Sequence, residues 1–251
     1  MRKRLLQGVC MAIVIAGLFG LIAGAGAERT HRAYLQGYPD ETIRPTEPVT
    51  RAQLACVLVR LAETELPEGE RVTFADLPQT SWAYPAVRAL TGLGLLTFGT
   101  DGWFRPDEAV TWRELSGVMS RMTELPSCRE AYPALAYAWS GKQESTAAPE
   151  PSAGSAELSR AELARALNSL LGRRPDAADA QLRAAAWYQD NQDETAWYYA
   201  DLIEASVDHT CRYPAAAERW TAIGLKKNPA RGRDFLLPFT EYSSKKAAGM
   251  A

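Results

Sequence analysis

The chain has 251 residues, 47% hydrophobic and 23% charged, enough to bury a core in one or two domains. A formal net charge of −2 lacks the strongly basic balance of a nucleic-acid binder, so no nucleic-acid partner is expected. The two histidines, His31 and His209, sit neither in HExxH nor beside a nucleophile elbow, so no enzyme is expected.

Arg2, Lys3 and Arg4 precede an apolar run from Leu5 to Ile22 that ends in Ala25-Gly26-Ala27. This predicts a signal peptide over residues 1–27, cut after Ala27, with no membrane span in the mature chain. An uncleaved anchor is the competing reading, because the run nearly reaches bilayer length. Next comes a loop, Gly37-Tyr38-Pro39-Asp40-Glu41-Thr42-Ile43-Arg44-Pro45, and then Thr50-Arg51-Ala52-Gln53. A Thr followed three residues later by Gln ahead of an apolar stripe (Leu54, Val57, Leu58, Leu61) predicts a capping box opening a helix.

Phe74-Ala75-Asp76 leads through a polar spacer to Trp82-Ala83-Tyr84 and a shorter helix. A second loop, Gly99 to Pro106, precedes Thr111-Trp112-Arg113-Glu114, again a capping box before an apolar stripe. Ala131-Tyr132-Pro133-Ala134-Leu135 echoes the segment at Ala83 without its Trp. Residues 140–157 read as a mobile, Ser/Ala/Pro-rich loop. A third box, Ser159-Arg160-Ala161-Glu162, follows, and Tyr188-Gln189-Asp190 leads to a last short helix at Trp197. Three capped helices in matching contexts make an internal repeat. Phe74, Trp82, Tyr188 and Trp197 are expected as structural aromatic anchors. His209 to Thr221 reads as a strand pair, and residues 223–251 as a tail with one apolar patch.

These residues resemble the S-layer homology family of bacterial cell-surface modules. Its marks are an F-x-D…W-A helix, a G-Y-P-D-G-T-F-x-P loop and an I-T-R-A-E helix start. Here they stand as Phe74/Asp76/Trp82/Ala83, as Gly37 to Pro45, and as Thr50 to Gln53 with its two relatives. The resemblance covers residues 33–222. It implies a mainly α fold, with three repeats forming a pseudo-threefold spindle around a central three-helix bundle and a small β-hairpin near the C-terminus. Its units are a first half-repeat at 28–73, a second repeat at 74–130 and a degenerate third at 131–222. The last Trp helix would complete the unit that the first loop begins.

The resemblance also implies non-covalent attachment to the cell wall through an anionic, pyruvylated secondary cell-wall polysaccharide, in a secreted, wall- or S-layer-located protein. Carried over residue by residue, Arg51 and Arg160 become the anionic-sugar ligands, and Gly37, Tyr38 and Asp40 the loop contacts. Trp112 occupies the arginine slot of the second copy, with Arg113 one place later. Each helix start would offer free N–H groups to an anion. For Arg51 and Arg160 an internal salt bridge competes with the ligand role. A degenerate scaffold holding an envelope protein partner is the alternative function.

No cofactor or metal is expected. The three mature cysteines, Cys56, Cys128 and Cys211, include no paired CxxC for structural zinc. Residues 190–194 lack the spacing of an EF-hand. Cys56 reads as a small buried hydrophobe, and a Cys128–Cys211 disulfide stays open.

Overall fold

A computed structural model describes residues 27–67, 72–96, 99, 101–144, 156–214 and 217–224. The expected signal peptide apart from Ala27, most of the expected mobile loop and nearly all of the C-terminal tail lie outside these residues. The elements run β1 (Arg29–His31), α1 (Arg51–Leu61), α2 (Tyr84–Gly92), α3 (Trp112–Glu124), α4 (Pro126–Ala131) and α5 (Pro133–Glu144). They continue as α6 (Arg160–Leu170), α7 (Ala180–Ala184), α8 (Tyr199–Ser206), β2 (His209–Arg212) and β3 (Arg219–Ile223). The fold is mainly α. α5 runs to Glu144, so helix occupies the start of the stretch expected to be loop.

Three helices begin in the same way. Thr50, Thr111 and Ser159 each accept the N–H of the residue three places on, and Gln53, Glu114 and Glu162 each reach back to the cap N–H. The pairing satisfies two otherwise orphaned donors per helix. Just ahead of the caps, three extended segments meet. Val49 N–H donates to the Leu158 carbonyl, Leu158 N–H to Val110, and Val110 N–H to Val49, each at 2.8 Å. The cycle closes on itself, with all three side chains fully buried.

Each capped helix packs against a shorter helix that follows it in the chain: α1 on α2, α3 on α5, α6 on α8. The buried stripes Leu54/Val57/Leu58 and Leu115/Val118/Met119/Met122 enter one core, joined by Leu163, Leu167 and Leu170 of α6. Pro85 and Pro133 stand at helix starts, where a missing N–H costs nothing. The Ala-Tyr pairs before them (Ala83-Tyr84 and Ala131-Tyr132) are buried alike.

The expected strand pair is a three-stranded antiparallel sheet in the order β1-β2-β3, because the N-terminal β1 adds to it. His31 stands opposite His209, and Arg29 opposite Cys211. A second apolar cluster, including Leu182, Tyr199, Ile203, Val207 and Trp220, lies against this sheet. Cys56, Cys128 and Cys211 are all free and buried, so Cys128 and Cys211 are not bonded to each other. Burial pushes the Cys56 thiol up to about 12, which suits an inert core side chain. No helix among the described residues is long and apolar enough to cross a membrane.

Candidate functional site: a groove over Arg160

The first loop is held by its neighbours. Asp190 accepts the N–H groups of Ile43 (2.8 Å) and Arg44 (2.7 Å), and Asp76 does the same for Phe104 (2.8 Å) and Arg105 (2.7 Å) in the second loop. So each aromatic-x-Asp segment clamps a loop, and the last one clamps the first. Gly37 lies against Tyr188: a Cβ there would overlap the Tyr188 ring and the Thr42 carbonyl. Tyr188 Oη also accepts the Gly37 N–H at 3.2 Å. Asp40 folds the turn, accepting from the Thr42 N–H and hydroxyl and pairing with Arg44 at 3.0 Å. Arg44 in turn lies 3.8 Å over the Tyr38 ring.

Above this loop opens a groove of about 390 Å³, lined by Gly37, Tyr38, Gln53, Arg60, Trp82 and Arg160 among others. Arg160, the first residue of α6, is 2% exposed. Its Nε donates to the Ile43 carbonyl at 2.6 Å and its Nη2 to the Gln36 carbonyl. Its guanidinium carbon sits 5.0 Å over the Tyr38 ring. Among the described residues no carboxylate pairs with it. Burial lowers its pKa, opposed by the nearby Tyr38, Tyr188 and Glu47, but an arginine stays charged at neutral pH. Burial also brings Arg60 down to about 10.

Arg51 occupies the equivalent position on α1 and meets a different environment. It pairs with Glu114 at 2.6 Å and with Glu108 at 2.9 Å. Burial by itself would raise the Glu114 carboxyl, but the Thr111 N–H and Arg51 outweigh it and hold it low. Glu114 is the third residue of its capped helix. The matching residue of α1, beside the Arg160 groove, is Gln53, which donates instead to Tyr38 Oη at 2.9 Å. Arg51 thus meets two carboxylates, whereas at Arg160 an amide stands in the place of one of them.

The starts of α1 and α6 are not open. Arg51 and Ala52 donate their N–H groups to Glu108 and Pro106, Arg160 and Ala161 to Glu47 and Pro45, and Trp112 to Ala156. At α1 and α6 the free donors expected at the helix start are taken by adjoining loops, so there an anion must be met by side chains. Trp112 is half-buried against the core, and Arg113 is exposed. Neither lines the groove. Gly37, Tyr38 and Arg160 are brought together there, Asp40 stands behind as a turn brace, and Arg51 lies apart.

Trp82 and Trp197 are not core anchors: they are 50% and 48% exposed. The residues that bury themselves are Ala83, Tyr84 and Val87 beside the first and Tyr199 and Leu202 beyond the second, leaving each indole off the stripe. Trp82 instead forms a wall of the groove, and Trp197 lies under Arg165, whose guanidinium carbon is 4.4 Å from the ring centre. Tyr188 (8% exposed) is an anchor, and Phe74 packs on Phe104 with ring centres 5.5 Å apart. Sequence reasoning missed Trp82 as a groove wall and Gln53 as more than a cap. The position of Trp82 off the apolar stripe was the available signal.

Residues 30–55 and 73–111 match the family model of the S-layer homology domain. The chain is 26% identical over 209 residues to cell surface glycoprotein 1 of Acetivibrio thermocellus, which covers 72% of this chain and 9% of that protein. It is 30% identical over 106 residues to the cellulosome-anchoring protein of the same organism, covering 41% of this chain and 24% of that one. The chain thus spans under a quarter of the length of either relative. It carries S-layer homology domain sequence.

Proposed function

We propose that this protein attaches to the bacterial cell surface by binding an anionic, pyruvylated wall polysaccharide in the groove over Arg160. The observation that carries the reading is a buried guanidinium with carbonyl partners and no carboxylate, at the floor of a groove walled by Tyr38 and a half-exposed Trp82. A carboxylate-bearing sugar would supply the missing countercharge, while its apolar face would lie along the indole. The relatives named as a cell surface glycoprotein and a cellulosome-anchoring protein support a surface location. The closed cycle of hydrogen bonds ahead of the caps supports three units arranged about a pseudo-threefold axis as a spindle. The three units would then offer unequal grooves, with Arg160's the competent one.

The test is co-sedimentation of residues 28–251 with cell-wall sacculi, before and after the secondary polysaccharide is stripped. Wild type should sediment with intact sacculi alone. Gln53→Glu places an acid where Glu114 meets Arg51 in the neighbouring unit, and keeps the capping box. It should lower wall binding at least tenfold with an unchanged melting temperature. Tight binding by Gln53→Glu would move the glycan away from this groove. No sedimentation of wild type with either preparation would favour the envelope-protein scaffold.

A further inference from the structure

Against the three-stranded sheet, at the opposite limit of the chain's connectivity, four buried side chains converge. They are His31 of β1, His209 and Cys211 of β2, and Glu218 just ahead of β3. One donor atom from each lies within 4.8 Å of all the others. Register explains the meeting. His31 stands opposite His209, and residues 209 and 211 share one face of a strand because side chains alternate.

The donor atoms are prepared on one side and unsatisfied on the other. His209 Nδ1 lies 2.9 Å from the Val207 carbonyl, which can only accept, so Nδ1 carries a hydrogen, and in the neutral ring Nε2 keeps a lone pair. That Nε2 is enclosed and makes no hydrogen bond. Glu204 Oε2, equally enclosed and without one, faces it at 3.0 Å. Two buried acceptors that close repel unless a proton or a metal ion sits with them. Cys211 Sγ lies about equally far from both nitrogens of His31, 3.7 Å from Nδ1 and 3.8 Å from Nε2; with Nδ1 held 2.8 Å from Glu204 Oε1, Nε2 is the nitrogen left for a metal. A carboxylate holding one ring nitrogen so that the other turns inward is a common support for metal-binding histidine.

The remaining members are fixed too. Trp220 stacks on His209 with ring centres 3.7 Å apart and donates its Nε1–H to Glu218 Oε1 at 2.9 Å. Tyr213 donates its hydroxyl to Glu218 Oε2 at 2.8 Å. The 3.8 Å between Cys211 Sγ and His31 Nε2 is close to that of two ligands of one tetrahedral zinc, for which bonds of about 2.3 and 2.0 Å place the ligand atoms roughly 3.5 Å apart.

We propose that His31, His209, Cys211 and Glu218 bind one zinc ion as a closed structural site that staples the first strand to the last. A thiolate and a carboxylate neutralise the ion, while Glu204 keeps Arg173 (3.4 Å) as its own partner. Mixed imidazole and thiolate ligands favour zinc over magnesium or calcium. With four protein ligands no position is open for catalysis. The staple acts where it is needed, since strands of three to five residues make a weak sheet by themselves.

The experiment strips residues 28–251 with chelator under reducing conditions, then titrates with Zn(II) and Co(II). One equivalent of Co(II) should give tetrahedral visible bands and a thiolate-to-cobalt charge-transfer band, and Zn(II) should raise the melting temperature. Cys211→Ser should lose the charge-transfer band, while Cys56→Ser and Cys128→Ser keep it. Metal content of the wild type as purified gives a readout that does not depend on any variant folding: one zinc per chain is expected. No bound metal and no shift in melting with excess Zn(II) would overturn the site and leave a network held by protons. A band that survives Cys211→Ser would overturn the ligand assignment.

Discussion

An amide in place of an acid marks the groove, and left-handed backbone angles at Glu41 and Arg44 strain its rim. Glu41 has φ of 63° at the turn of the first loop, where the second loop places Gly102 at 85°. L-residues other than Gly, Asn and Asp reach that region at a cost of roughly 1–2 kcal/mol, part of which glycine returns as chain entropy. Glu41→Gly should therefore stabilise the protein by up to about 1 kcal/mol, read from the urea midpoint at constant slope. A loss of stability would mean that the Glu41 side chain contributes more than its backbone costs. The sequence shows this departure, since Glu41 stands where the family's loop has glycine. It does not show the matching importance of Gln53, because a capping box accepts Glu or Gln equally and the distinction matters only to an arginine 107 positions away in sequence.

The loops are the elements on which this reading rests, and each is tied by one acid to one arginine. Asp40 is lowered to about 2 by the Thr42 hydroxyl and by Arg44, and Asp101 to about 2 by Arg105 and the Trp103 N–H. Folding depresses both below their ordinary 3.8, so their contribution is complete above about pH 4 and drains away as pH falls toward 2. Both acids are exposed, which keeps the contribution small and sensitive to salt. A double variant Asp40→Asn/Asp101→Asn should melt below wild type at pH 6 in low salt and level with it near pH 2. A gap that persists at pH 2 would assign the effect to neutral hydrogen bonds. Helix starts were legible at this scale, since all three capping boxes form where Ser or Thr precedes Gln or Glu by three. The occupancy of their N–H groups was not, because the accepting carbonyls of Pro45, Glu47, Pro106 and Glu108 lie in loops distant in sequence and carry no side-chain signature.

At the scale of the whole molecule, the first and last described segments depend on each other. The described N-terminal residues form β1 against β2, while Tyr34 and Leu35 both donate their N–H groups to the Ala205 carbonyl at 2.9 Å. Asp190 and Tyr188 hold the first loop, and Arg60 of α1 donates to the Tyr34 carbonyl that this docking positions. The order of motifs foretold this closure, for the first loop lacks a Trp helix ahead of it and a spare one stands near the end. The third strand went unread because Arg29-Thr30-His31 is too short to show alternation. A chain ending at residue 186 keeps α1 to α7 and both arginines, yet loses the clamp on the first loop, the partner of β1 and the helix that covers α6. Each loss strands buried backbone donors or apolar surface, at about 1–3 kcal/mol per unsatisfied group. Together these are comparable with the whole margin of an ordinary domain, about 5–15 kcal/mol. The truncated chain should therefore lack a cooperative thermal transition by circular dichroism and be digested under conditions that spare residues 28–251. A sharp transition in the short chain would instead mean that the first two units fold without the third, and that closure of the cycle serves the groove rather than the fold.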